Sequence, residues 1–287
     1  MGNVLLAARG GMNLRRSLHQ LEEIEREFGM GNTALVSGAS AGIGMAFARY
    51  HASKGGDLIL TARRAETLAA LKAEVEAAHG ITAHVFALDL GAEGAAQQLF
   101  DQISAAGLTV DVLINNAGFG GQGRHVDRPL ADELAMIDLN VKALVTLCHL
   151  VARDMAARGA GRILNVGSTA GFMPGPYQAI YFATKAFVKS FSEALAQELT
   201  GTGVTVTVLA PGYVKTEFAA RAELEGTKLV ARGGKSPEAV AKHGYEAMMR
   251  GDLVTVNERG LGVLVNWVIP VLPRRWVLKM VQDMQVK

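Results

Sequence analysis

The chain has 287 residues, 49% hydrophobic and 20% charged, enough apolar material for one large core and too little charge for a disordered or fibrous protein. Its 29 basic and 27 acidic side chains leave a formal charge of +2, which argues against nucleic acid as a partner. The single cysteine, Cys148, excludes an internal disulfide framework and any multi-cysteine metal site, and its apolar surroundings predict a buried thiol in a reducing compartment.

Residues 1–29 stand outside the main pattern. Leu14, Leu18, Leu21, Ile24 and Phe28 recur at spacings of three and four, which predicts an accessory amphipathic helix. Arg9, Arg15 and Arg16 suit a transit peptide, but Glu22, Glu23, Glu25 and Glu27 do not, and Leu6 breaks the myristoylation pattern.

From Thr33 onward, short β-rich apolar runs alternate with longer helical stretches, the pattern of an α/β fold with a parallel sheet covered on both faces. Strands are predicted at Thr33–Ser37, Asp57–Thr61, Thr82–Leu88, Val110–Asn115, Gly161–Gly167, Val204–Ala210 and Leu253–Val256. Helices are predicted near Ile43–Lys54, Ala65–His79, Gly94–Ala106, Leu130–Arg158 and Tyr177–Thr200. Ser236-Pro237-Glu238 opens a further helix that Gly251 closes. Between them, Lys215–Lys235 has no strand signal and reads as a mobile excursion over the active face.

Residues 257–287 form an apolar tail beyond the domain at 30–256. No run reaches the ~18 to 20 uninterrupted apolar residues of a spanning helix, so a soluble, cytoplasmic protein is expected. The stretch Leu261–Leu272, broken by Asn266 and Pro270, reads as a pocket wall or subunit interface in preference to a membrane contact.

Chemistry concentrates at three places. Ala34 to Gly44 passes from strand to helix through Gly38, Gly42 and Gly44, a turn that lets the backbone approach a pyrophosphate at a helix N-terminus. The second strand ends Thr61-Ala62-Arg63-Arg64, with no carboxylate for a ribose 2′-hydroxyl and two guanidinium groups suited to a 2′-phosphate, which predicts NADP(H). Tyr181 and Lys185 stand at i and i+4 on one helix face, where the ammonium can favour the phenolate. Of the chain's seven histidines, His51, His79, His84, His125, His149 and His243 lack metal-ligand spacing, and Ser168 has no His–Asp pair for hydrolytic work.

Gly38-Ala39-Ser40-Ala41-Gly42-Ile43-Gly44, Asp89-Leu90, Asn115-Asn116-Ala117-Gly118, Asn140, Ser168, Tyr181-x3-Lys185 and Pro211-Gly212 occur in the order of the short-chain dehydrogenase/reductase family, which the chain resembles from about Thr33 to Thr216. Ser37, where the family generally has Thr, keeps the hydroxyl. The resemblance implies a Rossmann-type doubly wound sheet and an NADP(H)-dependent oxidoreductase interconverting a carbonyl and an alcohol. It further implies that Ser168 polarises the carbonyl, Tyr181 is the general acid/base, and Lys185 lowers the Tyr181 pKa and binds the nicotinamide ribose. Asn140 would hold a water that links Lys185 to solvent.

By the same resemblance Ser40, Ala41 and Ile43 belong to the phosphate turn. Asp89 and Leu90 lie near adenine, Asn116, Ala117 and Gly118 lie against the cofactor, and Pro211, Gly212, Val214 and Thr216 run along the nicotinamide. A homodimer or homotetramer through the long helices is the family's habit. Pocket walls are expected at Gly120–His125, Thr169–Tyr177 and Lys215–Lys235, with Phe119, Phe172, Met173, Tyr177, Phe218 and Leu224 pointing to an apolar carbonyl substrate. Two alternatives stand beside this reading: a non-catalytic NADP(H)-binding sensor or scaffold, and a lipid-directed reductase that touches membranes through its tail.

Overall fold

The computed structural model describes residues 32–231 and 233–286, so the predicted helix at 1–29 lies outside the described residues. Seven strands, β1 Thr33–Ser37, β2 Asp57–Ala62, β3 Ala83–Ala87, β4 Val112–Asn115, β5 Gly161–Val166, β6 Val204–Leu209 and β7 Val254–Thr255, form one sheet in the order β3-β2-β1-β4-β5-β6-β7. All pairings are parallel. The strands match the expected runs, with ends shifted by one or two residues. β4, for example, starts only at Val112, where the Asp111 carboxylate accepts the Thr33 N–H at 3.1 Å and pairs with Arg158 at 3.0 Å.

Alternate side chains of each central strand go to opposite layers, as a doubly covered sheet requires. Val36, Leu58, Leu60, Ile114 and Leu164 face α1 Gly42–Ala52 and α2 Ala65–His79, through Phe47, Leu68 and Leu71. Leu35, Ile59, Leu113 and Ile163 face α3 Ala95–Ala105, α4 Leu130–Arg158 and α5 Ala179–Glu198, through Leu99, Leu147, Val151 and Val188. By length and composition α4 could cross a bilayer, but its Leu144, Leu147, Cys148, Val151 and Met155 are spent on this second layer.

The predicted α4 is interrupted. Residues Asp138–Ala143 wind as a π-turn, a local widening that recurs at functional sites. The segment after β6 contains two one-turn helices, Phe218–Arg221 and Lys228–Ala231, and a bridge between Val214 and Lys235. α6 Pro237–Arg250 starts as expected, with the Ser236 hydroxyl accepting the Ala239 N–H at 3.2 Å. The tail folds as α7 Arg259–Val271 and α8 Arg274–Gln285.

The strand order reverses between β1 and β4, and there the crevice at the carboxyl ends of a doubly wound sheet opens. The β1 turn is shaped for it. Gly38 and Gly42 adopt φ of 67° and 52°, a region that L side chains rarely enter. Gly44 has a different duty, packing α1 against the turn: a Cβ there would overlap the Gly38 carbonyl oxygen and lie 2.5 Å from Nδ2 of Asn116. Gly44→Ala should therefore cost about 1–3 kcal/mol of stability in denaturant unfolding, because backbone must move to admit the methyl. An unchanged unfolding midpoint would show that the turn is softer than its contacts imply.

Candidate active site

A cavity of about 800 Å³ runs along the carboxyl ends of the strands, from the glycine turn to the tail helices. At one end stand three arginines. Arg64 donates from Nε to the Ser40 hydroxyl at 3.2 Å and from an Nη to the Ser40 carbonyl at 2.9 Å, and pairs with Glu217 at 3.1 Å. Arg63 faces Asp89 at 3.8 Å. Arg221, from the one-turn helix Phe218–Arg221, lays its guanidinium 4.5 Å from the centre of the Phe119 ring. Burial, and next the Arg63 charge beside it, lower the Arg221 pKa. Such a cluster answers a phosphate, which could bridge the guanidiniums and relieve their repulsion. Sequence reasoning missed Arg221 because an arginine in an irregular segment carries no spacing signal.

The middle of the cavity is backbone. A hydroxyl on Ser37 accepts the N–H groups of Asn116 and Ala117, each at 3.0 Å, while Asn116 Nδ2 donates to the Ser37 carbonyl at 3.0 Å. This stitches the end of β1 to the end of β4. Thr216 reaches across from beyond β6, so that a Cβ on Gly42 would lie 2.9 Å from its methyl. Gly118 lies under the reactive end, where a Cβ would meet Asn140 Oδ1 at 2.9 Å and Lys185 Nζ at 3.6 Å.

At the far end Ser168, Tyr181 and Lys185 converge on the cavity. Ser168 follows β5 and its hydroxyl accepts the Ala170 N–H at 3.1 Å, which orients it. Tyr181 and Lys185 are one turn apart on α5. Lys185 Nζ donates to the Val166 carbonyl at 2.8 Å and sits 5.9 Å from the centre of the Tyr181 ring. Tyr181 is held on either side by Phe218 and Phe182, with ring centres 5.4 and 6.1 Å away.

The expected depression of the Tyr181 pKa is absent. Burial pushes the phenol up to about 12, and the Ser168 hydroxyl pulls it only partly back. Burial likewise brings Lys185 down to about 8. Desolvation, which both groups share, outweighs the favourable pairing of phenolate with ammonium. The consequence is a phenol that stays protonated at neutral pH.

Two predicted site residues act from behind the cavity wall. Gly44 packs the turn, as described above, and Asn140, 1% exposed, does not reach the cavity. Asn140 sits in the π-turn, accepts the Phe119 N–H at 3.0 Å, and donates to the Phe119 carbonyl at 2.9 Å and Thr184 Oγ1 at 3.2 Å. It clamps the irregular segment that follows Gly118. The remaining predicted positions, from Gly38, Ser40, Ala41, Gly42 and Ile43 through Arg63, Arg64, Asp89, Leu90, Asn116, Ala117 and Gly118 to Pro211, Gly212, Val214 and Thr216, all line the cavity.

The predicted substrate walls need correction. Met173, Phe218 and Leu224 line the cavity, but Gly120–His125, Phe119, Phe172 and Tyr177 do not. Phe119 lies under Arg221, Phe172 lies 5.0 Å under Lys189 Nζ, and Tyr177 turns at φ 66° with its carbonyl accepting the Gly123 N–H at 2.8 Å. The tail supplies the missing wall through Leu264, Val265, Ile269, Met280, Val281 and Met284. Gln285 fastens it, its Oε1 accepting from Gln178 Nε2 at 2.7 Å.

A buried ammonium leaves a signature in pH. Lys185 titrates at about 8 against 10.5 for a free lysine, so between those values the folded chain binds fewer protons and its stability rises with pH. Below pH 8 the burial penalty is fully present. Tyr181, at about 12 against 10.0, works the opposite way above pH 10. Melting curves of the parent and Lys185→Met should therefore diverge in the parent's favour as pH rises from 8 to 10. Parallel curves would contradict the burial of this charge.

Residues 32–225 match the short chain dehydrogenase family model. Among curated proteins, sulfoacetaldehyde reductase 2 of Chromohalobacter salexigens is 42% identical over 191 residues, 66% of this chain and 75% of that protein. The NADP-dependent 3-hydroxy acid dehydrogenase YdfG of Escherichia coli is 39% identical over 187 residues, 64% of this chain and 73% of that protein. Among solved structures, a short-chain dehydrogenase from Sphingobium yanoikuyae in complex with NADPH superposes with a TM-score of 0.76 at 30% identity, covering 81% of this chain and 90% of that one. With the glycine turn, the serine, the tyrosine and the lysine gathered on one cavity and the family model spanning the domain that holds them, the chain belongs to the short-chain dehydrogenase/reductase family.

Proposed function

We propose that this protein is an NADPH-dependent reductase of an uncharged, apolar carbonyl compound. The observation that carries the reading is one continuous cavity joining the arginine cluster and glycine turn to Ser168, Tyr181 and Lys185. The residues present fit the dinucleotide. The turn leaves no room for a Cβ at Gly38, 2.8 Å from Asn116 Nδ2, and offers close backbone approach, while Arg63, Arg64, Ser40 and Arg221 make a donor set for a 2′-phosphate. When bound, NADPH supplies the hydride that reduces the carbonyl carbon.

The chain's own residues manage the oxygen. Ser168, oriented by Ala170, donates to the carbonyl oxygen and draws electron density from the carbon. Tyr181, a phenol protonated at neutral pH whether or not it is buried, delivers its proton to the same oxygen as charge develops there. Lys185 is anchored by Val166 so that its remaining protons face the cavity, where they can bind ribose hydroxyls and stabilise the phenolate left after transfer. Asn140 keeps Phe119 and Gly118 in place beneath them.

The wall around Tyr181 supports an apolar substrate: Phe182, Phe218, Met173 and the tail residues Leu264, Val265 and Met284 surround the reactive end. The relatives named for sulfoacetaldehyde and 3-hydroxy acids point to compounds with an anionic group, whereas the side chains packed round Tyr181 here are apolar. A homo-oligomer built through α4 and α5 goes with the exposed Leu130 and Leu134 and with Phe187 stacked on Phe191. A cytoplasmic setting, with its reduced cofactor pool, agrees with reduction as the working direction.

Arg63→Ala should weaken NADPH binding by about 1.5–3 kcal/mol, roughly ten- to 150-fold, and leave NADH nearly unaffected. Equal losses for both cofactors in a fluorescence titration would defeat the 2′-phosphate assignment. Tyr181→Phe should retain NADPH binding and lose roughly 10²–10⁴-fold in ketone reduction, measured over a panel of aryl ketones, aldehydes and diketones. Undiminished turnover would remove the acid role and favour a cofactor-binding sensor.

A further inference from the structure

α7 is apolar on two opposite sides. Val265 and Ile269, four residues apart, are buried and line the cavity. Val263, Trp267 and Val271, also at intervals of four, are 58%, 76% and 79% exposed. Beyond Pro273, α8 turns Val277 and Val281 inward and leaves Trp276 68% exposed. A helix on the surface of a water-soluble protein ordinarily shows solvent a polar face, and one that is apolar all round needs cover.

The charges say what covers it. Residues 257–286 carry four cations, Arg259, Arg274, Arg275 and Lys279, against two acids, Glu258 and Asp283, and Asp283 lines the cavity. None of the four cations forms an ion pair among the described residues. A second copy docked face to face would bring these cations together across a two-fold axis with few acids to meet them. An anionic headgroup layer neutralises them, and tryptophan beside arginine is the composition that settles at a water–lipid boundary. We propose that α7 and the first turn of α8 seat the protein on an anionic lipid surface. Because the inner side of the same two helices walls the reactive end of the cavity, the apolar carbonyl substrate enters from that surface. The second step rests on the reductase reading; the first does not.

The test is co-sedimentation of the full chain with phosphatidylcholine vesicles containing or lacking about one-third phosphatidylglycerol. The chain should pellet with the anionic vesicles and stay in solution with the neutral ones. Trp267→Ser with Trp276→Ser should weaken binding at least roughly tenfold, and so should Arg274→Gln with Arg275→Gln or a rise in salt beyond the screening range. Melting temperature and NADPH titration should not change in either double variant, since none of these side chains lines the cavity. Failure to pellet, or equal pelleting with both vesicle types, overturns the proposal. So does a fall in oligomer mass in the tryptophan variant without any vesicle binding, which would give the face to a second copy. A chain that pellets as expected yet reduces no ketone overturns the reductase reading and leaves the lipid seat standing.

Discussion

One hydroxyl ties the two halves of the sheet together at the crevice where the strand order reverses. Ser37 Oγ takes the N–H groups of Asn116 and Ala117, and Asn116 returns a bond to the Ser37 carbonyl. A doubly wound sheet opens a crevice where its strand order reverses, and the loops bordering such a crevice are free to drift apart unless something joins them. Here that junction fixes the distance between the glycine turn and Gly118. Asn140 then carries the constraint onward, holding Phe119 at both its N–H and its carbonyl and reaching Thr184 on the helix of Tyr181 and Lys185. The glycine turn and the Tyr181–Lys185 helix are thus held in register by hydrogen bonds behind the cavity wall.

Burial sets the electrostatics of that register. Phe182, Phe218 and the tail crowd Tyr181, Lys185 is buried, and both groups shift toward their neutral forms. Low polarity strengthens any charge that does develop on the reacting oxygen and its donors. The tail is therefore part of the electrostatic design as well as of the shape, since Val265 and Ile269 close the side of the cavity that would otherwise admit solvent.

Much of this was legible in the residues, for identifiable reasons. The sheet announced itself because its strands are buried on both faces and so are apolar without a break, as in Leu58-Ile59-Leu60. The turn at Gly38 and the Tyr181–Lys185 pair were legible because a single local geometry dictates their spacing. The tail was legible as a wall from its apolar composition, whereas Arg221 joins the cavity through tertiary contacts that leave no periodicity, and the π-turn that aims Asn140 inward is one residue of widening inside an otherwise ordinary helix. The ionisation of Tyr181 went the other way from the pairwise argument because desolvation is a property of the whole enclosure.

The ion pair between Arg64 and Glu217 has a consequence for the order of events. Glu217 begins the segment that carries Phe218 over the Tyr181 ring, so one carboxylate connects the adenosine end of the crevice to the cover of the reaction centre. A phosphate approaching Arg64 would meet a guanidinium already engaged by Glu217 and Ser40, so carboxylate and phosphate would share its donors. The carboxylate beside Phe218 would thereby be linked to whatever occupies Arg64, and by thermodynamic reciprocity each would change the other's hold by the same factor.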